Sequence, residues 1–359
     1  MTTIQDVARL AGVSVSSVSN VLNGRSDRMR QDTFARIEGA IRKLDYRPSQ
    51  AARQLKTGRT PILGLLVPTA ANPSFGQLAV AMENFAQERY GYRVLLCNTY
   101  RDKQLESRML DDLIDFGVGA VVVVSSLSDE RHIEAAIERG LAVVSFDLGV
   151  EPDAQIRNDH VLADNRLAGR LAAMHLIEHG HKRLAFLVPR GQTMSRRHKV
   201  EGFLAAAEEA GSGVSAEIIE SDTLSKFGDT ELCSLGFESA EKILQMKRRP
   251  TGVATVNDMT AIGLMAGIRR HGLSVPEDIS VVGMDDLVMS AYVWPPLTSV
   301  SMPVTEMAQK MVDRAIQHIN TPGLRPEQIT FAPHLVSRQS VGAPPGARKP
   351  AQRNHAKQS

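Results

Sequence analysis

From residue 61 onward the sequence repeats one pattern eight times, a short run of apolar and largely β-branched residues followed by a longer amphipathic stretch. The runs cover residues 62–67, 92–97, 120–124, 141–146, 183–188, 216–219, 253–256 and 279–283. Such runs, without strict polar alternation, mark strands buried on both faces, and parallel strands need crossovers as long as the stretches between them. The body is therefore expected to be α/β. Eight units of this kind can form one large sheet or two sheets of four.

Open parallel sheets bind ligands outside the carboxyl ends of their strands. The residues that follow the runs are Asn72 and Phe75, Asn98, Ser125, Asp147, Arg190, Asp222, Asn257 and Asp258, and Asp285 and Asp286. A cleft lined by these amides, carboxylates and an arginine can hydrogen-bond a hydroxyl-rich ligand from many sides, with Phe75 covering its apolar face. An Asp or Asn after a strand also caps the following helix, and both roles stay open for Asp258 and Asp286. Arg190, Arg196, Arg197, His198 and Lys199 cluster beside this expected cleft. They can read an anionic ligand or form a solvated helix face.

The N-terminus follows a different rule. Thr3 offers a helix-capping oxygen and Asp6 the reciprocal carboxylate; Ile4, Val7, Ala8 and Ala11 then recur at the helical period. Gly12 supplies a helix stop and Ser14 caps a second run, in which Val18, Val21 and Leu22 fall on one side. Val15, Ser16 and Asn20 are left facing out, short and uncharged. A third amphipathic run from Asp32 carries Phe34, Ile37, Ile41 and Leu44. Two short helices about a glycine turn with a third behind them read as a helix-turn-helix.

Charge agrees with that reading. The formal net charge is only +2, yet residues 1–60 hold 11 Lys or Arg against 5 Asp or Glu, and residues 343–359 hold 4 against none. The remainder is acidic, so attraction to phosphate is confined to the ends of the chain.

At this point the sequence resembles the lactose and purine repressor family of bacterial helix-turn-helix transcription regulators. The matching residues are Asp6-Val7-Ala8, Ala11-Gly12-Val13-Ser14, Val18-Ser19, Val21-Leu22-Asn23, Tyr46-x-Pro48 and Ala52-Arg53-x-Leu55, and the match continues to about residue 341. The resemblance implies a small all-α helix-turn-helix head (residues 1–48) and a hinge helix with linker (49–60). Beyond these it implies an α/β body of two Rossmann-like lobes with parallel sheets, of the periplasmic binding protein type (61–342). Lobe 1 would comprise about 61–162 and 293–324, and lobe 2 about 163–292 and 325–342. The connections would cross near residues 159–163, 292–296 and 323–326, a C-terminal helix over 304–318 would pack on lobe 1, and residues 331–337 would return to lobe 2. Residues 343–359 are expected to be a disordered basic tail.

The same resemblance assigns roles. Thr3, Ser14, Val15, Ser16, Ser17, Asn20 and Asn23 would face DNA from the head, and Ala52, Arg53 and Leu55 from the hinge, with Leu55 wedging into the minor groove. Asn72, Phe75, Asp147, Asp164, Arg190, Ser195, Lys199, Asn257 and Asp285 would bind a small-molecule effector. Lys199 departs from the pattern, standing where the family has an arginine, and Met302 stands where a polar side chain is frequent. Residues 221–235 are longer than the family norm. The expected partners are a double-stranded DNA operator, the effector and a second copy of the chain.

Two other classes compete. An enzyme of the two-lobed α/β class would carry a phosphate loop, an HExxH or a nucleophile elbow, and none occurs here. Nor do the ten histidines and two cysteines form a metal pattern, so neither cofactor nor metal is expected. An exported solute-binding protein would need an apolar leader after Met1, and would have no use for a basic head. No run approaches the ~20 apolar residues of a membrane span. A cytoplasmic regulator is the expectation.

Overall fold

The computed structural model describes residues 2–22, 29–46, 60–124, 131–146, 156–191, 193–222 and 230–346. The chain divides into a head, Met1–Thr60, and a body, Pro61–Ser359. The hinge segment 49–59, the tail from 347, and Asn23, Ala52, Arg53, Leu55, Ser125 and Asp147 lie outside the described residues.

The head contains α1 (Ile4–Ala11), α2 (Val15–Leu22) and α3 (Gln31–Lys43). Thr3 and Asp6 close the capping box at both ends, and Gly12 stops α1 at φ +63°. Ser14 Oγ accepts the Ser17 amide at 3.2 Å and so caps α2. Val7, Ala8, Ala11, Val18, Ile37 and Ala40 form the core of this unit. Phe34, expected in that stripe, is half-buried and lies outside it. The inward side of α3 is set by Ile37, Ala40, Ile41 and Leu44 instead.

The described body holds two six-stranded sheets. The first orders its strands β11-β5-β4-β3-β1-β2, from β1 (Thr60–Val67), β2 (Arg93–Asn98), β3 (Val118–Val123), β4 (Ala142–Phe146), β5 (Asp159–Ala163) and β11 (Gln328–Phe331). The second orders them β12-β10-β9-β8-β6-β7, from β6 (Arg183–Pro189), β7 (Ser215–Ser221), β8 (Gly252–Thr255), β9 (Ser280–Met284), β10 (Thr298–Ser301) and β12 (His334–Val336). The β10–β12 pair is antiparallel. The other described strand pairs are parallel, for example Leu65 of β1 opposite Leu96 of β2.

Period-two geometry explains why the central runs are largely apolar, whereas the edge strands β2 and β7 alternate and expose Arg93 and Glu217. Leu63, Leu65 and Val67 of β1 face one layer, with α4 (Pro73–Tyr90) and α11 (Val304–Asn320), while Leu66 faces the other, with α5 (Lys103–Asp115) and α6 (Arg131–Glu138). In the second sheet Leu184, Phe186 and Val188 face α7 (Asn165–Glu178) and α8 (Met194–Glu209). Ala185 and Leu187 face α9 (Leu232–Leu244) and α10 (Asp258–Arg270).

The crossings differ in position from those expected. β10 pairs with β9, so the second lobe runs on to Ser301 and the chain leaves it at residues 302–303, not 292–296. β11 pairs with β5, so the first lobe keeps the chain to Phe331 and the last crossing is at residues 332–333, not 323–326. The physical reason is that β5 and β10 bury polar side chains through hydrogen bonds, while β11 is an edge strand with Gln328 and Thr330 exposed, so none of them forms the apolar run that announces a strand.

Two helix pairs in the second lobe approach to backbone contact. A Cβ on Gly202 would lie 1.9 Å from the Arg166 carbonyl oxygen, and one on Gly169 1.8 Å from that of Lys199. Gly236 and Gly263 do the same between α9 and α10, at 2.0 Å and 1.9 Å from carbonyl oxygens. Carbonyls cannot yield as a side-chain tip does. Gly202→Ala is expected to push α8 off α7 at a cost of about 3 kcal/mol, read as a lower urea midpoint with an unchanged m-value.

Candidate functional site

On the head, α2 exposes Val15, Ser16 and Asn20, with Ser14 and Thr3 exposed beside the helix starts. Ser17 is half-buried and its hydroxyl lies 2.9 Å from that of Ser14, so both are tied into the cap. The helix has no charged residue in its first or last turn. Its outer face therefore carries an amide, a hydroxyl and a branched methyl pair. Those groups match base edges and thymine methyls in a major groove, whereas phosphate is left to the surrounding arginines.

On the body, the strand ends of both sheets open on a cleft lined by Asn72, Phe75, Arg101, Asn165, Thr193, Ser195, Arg196, Lys199, Asn257, Asp285 and Met302, among others. Several of these side chains begin helices. Asn72 accepts the Ser74 amide at 3.1 Å, Asn257 accepts the Thr260 amide at 3.0 Å, and Thr193 caps α8. Helix N-termini from both lobes thus converge on one space, and each brings partial positive charge.

Of the expected effector contacts, Asn72, Phe75, Ser195, Lys199, Asn257 and Asp285 share this lining. Two expected residues do not. Asp164 accepts the Leu167 amide at 2.9 Å and caps α7, while its own amide bonds Phe331 at the last crossing. Arg190 is exposed and paired with Asp222 at 2.9 Å, because β6 and β7 end side by side at the sheet edge. Arg196, buried in the first turn of α8, occupies the lining instead.

Arg101 and Asn165 were not among the expected contacts. Arg101 sits three residues past the end of β2, and its signal is that strand end. It adopts φ +54° next to Tyr100 at +49°, and Asp285 and Asp286 are likewise consecutive at +103° and +53°. Left-handed residues with side chains are uncommon and collect at functional sites. One member of each pair, Arg101 and Asp285, lines the cleft.

Below the Asp285 turn lies Asp258, which is fully buried. Its carboxylate accepts the hydroxyls of Ser290 and Ser299, each at 2.6 Å, and the Leu287 amide at 2.8 Å. Ser299 Oγ in turn accepts the Asp286 amide at 3.0 Å. Burial pushes the Asp258 carboxyl up to about 6, with the Asp286 charge adding to it and the three hydrogen bonds opposing it. Asp286 itself bonds Arg338 at 2.6 Å. Asp258 and Asp286 are thus bracing residues for the loop that carries Asp285.

Comparison with known proteins places this geometry. Residues 3–49 match the model of "Bacterial regulatory proteins, lacI family", and residues 173–341 match a periplasmic binding protein-like domain. The HTH-type transcriptional repressor PurR of Actinobacillus pleuropneumoniae serotype 3 is 33% identical over 343 residues, covering 95% of this chain and 98% of that one. The ribose operon repressor of Escherichia coli K12 is 33% identical over 345 residues, covering 95% and 100%. Among solved structures, the lac repressor dimer bound to operator and an anti-inducer aligns with a TM-score of 0.79 at 26% identity, covering 95% and 99%. A regulator from Enterococcus faecalis with bound ribose aligns at 0.67 and 28% identity, covering 78% and 98%.

Proposed function

Because this chain belongs to the lacI family of bacterial regulatory proteins and is a ligand-controlled DNA-binding regulator, we propose that it represses transcription as a homodimer on a two-fold symmetric operator. A hydroxyl-rich metabolite in the interlobe cleft sets its grip on that operator. The observation that carries this reading is the pairing, in one chain, of an uncharged exposed face on α2 with a cleft lined by polar helix starts from both lobes. Such a protein works where the operator is, in the cytoplasm, and its cleft binds without turnover. No described helix is long and apolar enough to cross a membrane.

One α2 covers only a half-site, so two heads are needed. Asn20 is placed to bond adenine through both amide groups, Val15 to touch a thymine methyl, and Ser16 to meet a base edge. Asn20→Ala is expected to cost about 1–3 kcal/mol on the preferred site and to change the base favoured at one position of each half-site. Selection from a random duplex library reads both effects. Equal loss on every base variant contradicts the assignment.

The body also supports pairing. Val288, Met289, Tyr292 and Trp294 follow the Asp285 loop and stand in solvent, Tyr292 at 84% and Trp294 at 75% exposure. An apolar run so open calls for a cover, and the two-headed reading supplies one in the second copy. Tyr292→Glu is expected to convert the sedimenting species from dimer to monomer and to weaken operator binding at least about tenfold, through loss of the linked second head. A variant that stays dimeric places the subunit contact elsewhere.

A further inference from the structure

The acidity of the body has an exception at the end of the second sheet where its strands begin. Lys182 and Arg183 stand at the start of β6, and Lys247, Arg248 and Arg249 lead into its parallel neighbour β8. Hydrogen bonds hold the two basic runs side by side. Arg183 Nε donates to the Arg249 carbonyl at 2.9 Å, and the Thr251 amide donates to the Arg183 carbonyl at 2.9 Å. Lys182, Arg183, Lys247 and Arg248 are exposed, and Arg249 is half-buried. None of the five forms an ion pair with a described residue. Asp278, on the approach to β9, accepts the Ser274 amide at 2.8 Å instead. The chain itself returns to this end: the Gly342 carbonyl lies 2.9 Å from His181 Nε2, and a Cβ on Gly180 would lie 3.6 Å from the Pro344 ring. Residues 347–359 follow from there and carry Arg348, Lys349, Arg353 and Lys357 with no acidic residue.

We propose that this end of the second lobe is a sequence-independent DNA-contact surface, separate from the head, which takes duplex phosphates on Lys182, Arg183, Lys247 and Arg248. Like charges crowded without carboxylates repel one another, and a phosphate backbone relieves that repulsion while it releases counterions. The cleft lies past the opposite ends of the same strands, about 20 Å away along the 7 residues of β6, so this charge does not serve the effector. No large apolar side chain is exposed among the described residues of β6, β8 and the turns before them. A membrane surface or a protein partner calls for such side chains, whereas a phosphate backbone is met by charge alone. A chain already held on DNA by its head also meets further duplex at high local concentration.

The test measures binding of the full-length protein to a random-sequence duplex by fluorescence anisotropy, from low to physiological salt. Lys182→Gln, Lys247→Gln and Arg248→Gln combined are expected to lower affinity about tenfold and to flatten the slope of log affinity against log salt by about 2–3. The head is unchanged in this variant, so the difference belongs to the body. Lys182→Arg with Lys247→Arg, which keeps the charge, is expected to bind as wild type. Both variants are expected to keep the wild-type melting temperature, since these side chains hold nothing in the described fold. Acetylation footprinting is expected to show Lys182 and Lys247 protected by the duplex. An unchanged salt slope in the triple variant, or equal acetylation of both lysines with and without duplex, overturns the proposal and leaves operator reading by α2 standing. Loss of binding to phosphatidylglycerol vesicles in the triple variant, with duplex binding intact, overturns it as well and assigns the surface to a membrane.

Discussion

Arg314→Met is expected to destabilise the body by about 3–5 kcal/mol, because it strands a carboxylate that has no water to turn to. Asp159, at the start of β5, is fully buried. Arg314 on α11 donates to both its oxygens, Nε at 2.6 Å and Nη2 at 2.9 Å. The Glu327 amide and His318 complete the shell at 2.8 Å and 2.9 Å. Arg314 also pairs with the Glu327 carboxylate and bonds the Arg325 carbonyl at 2.8 Å. This network joins β5, which precedes the first crossing, to α11, which follows the second, and to the approach to β11, which precedes the third. Losing either charged partner leaves the other buried and unmatched. Asp159→Leu together with Arg314→Met is expected to cost less than Arg314→Met alone, and a double-mutant cycle in urea measures the difference. Additive losses contradict the coupling.

The pH dependence of the same network has a definite sign. Burial raises the Asp159 carboxyl, but the Arg314 and Glu327 hydrogen bonds and the His318 and Arg314 charges outweigh it and hold it below its ordinary value. Its contribution is therefore present above the unfolded carboxylate range and is lost as the pH falls through the lower folded value.

Asp258 in the other lobe is expected to behave oppositely. Its folded pKa of about 6 stands above the ordinary aspartate value of 3.8, so the folded state takes up a proton that the unfolded chain does not. Stability from this group is full below the unfolded value and is lost as the pH rises through 6. Lowering the pH from 7 to 5 should add roughly 1 kcal/mol from Asp258, out of a full difference of roughly 3 kcal/mol. Asp258→Asn is expected to remove this increment, and also to loosen the Asp285 turn by disturbing the bonds to Ser290, Ser299 and Leu287. Denaturation midpoints at pH 5, 6 and 7 for wild type and variant check the sign. A wild-type stability that falls between pH 7 and 5 while the variant's does not contradicts it. Asp258→Ala, which leaves two hydroxyls and an amide unpaired in a dry interior, is expected to cost about 3–5 kcal/mol at pH 7.

How much of this could be seen beforehand depended on how each residue satisfies its polar atoms. The eight runs all became strands; the central ones, covered on both faces, have little use for polar side chains, and the edge strands β2 and β7 alternate. β10 is Thr298-Ser299-Val300-Ser301 and stayed hidden. Ser299 is buried only because Asp258 accepts its hydroxyl, and Thr298 because Ser340 and Arg338 bond it. β5 opens on Asp159, which Arg314, His318 and the Glu327 amide, 155 or more residues away, make tolerable. Local pattern cannot report a partner so distant. The crossing after β10 was misplaced for that reason, and the last one because β11 is an edge strand that exposes Gln328 and Thr330.

The cleft was legible at strand ends and less so within them. Asn72, Asn257 and Asp285 follow directly from the rule that ligands sit past the carboxyl ends. Arg190 obeys the same rule yet pairs with Asp222 at the sheet edge, and Asp164 obeys it yet turns to its own helix. Distinguishing these needed the position of each strand in its sheet. The close approach of α7 to α8 at Gly169 and Gly202 was likewise invisible, because a helical glycine in sequence reads only as a weak helix former.

The most direct measurement is selection of the full-length protein on a random duplex library at physiological salt. The expected result is an inverted repeat, its half-sites centred about one helical turn apart, with α2-facing positions that change identity in Asn20→Ala. Recovery of a single unpaired half-site, or no enriched sequence at all, would contradict operator reading by a two-headed regulator.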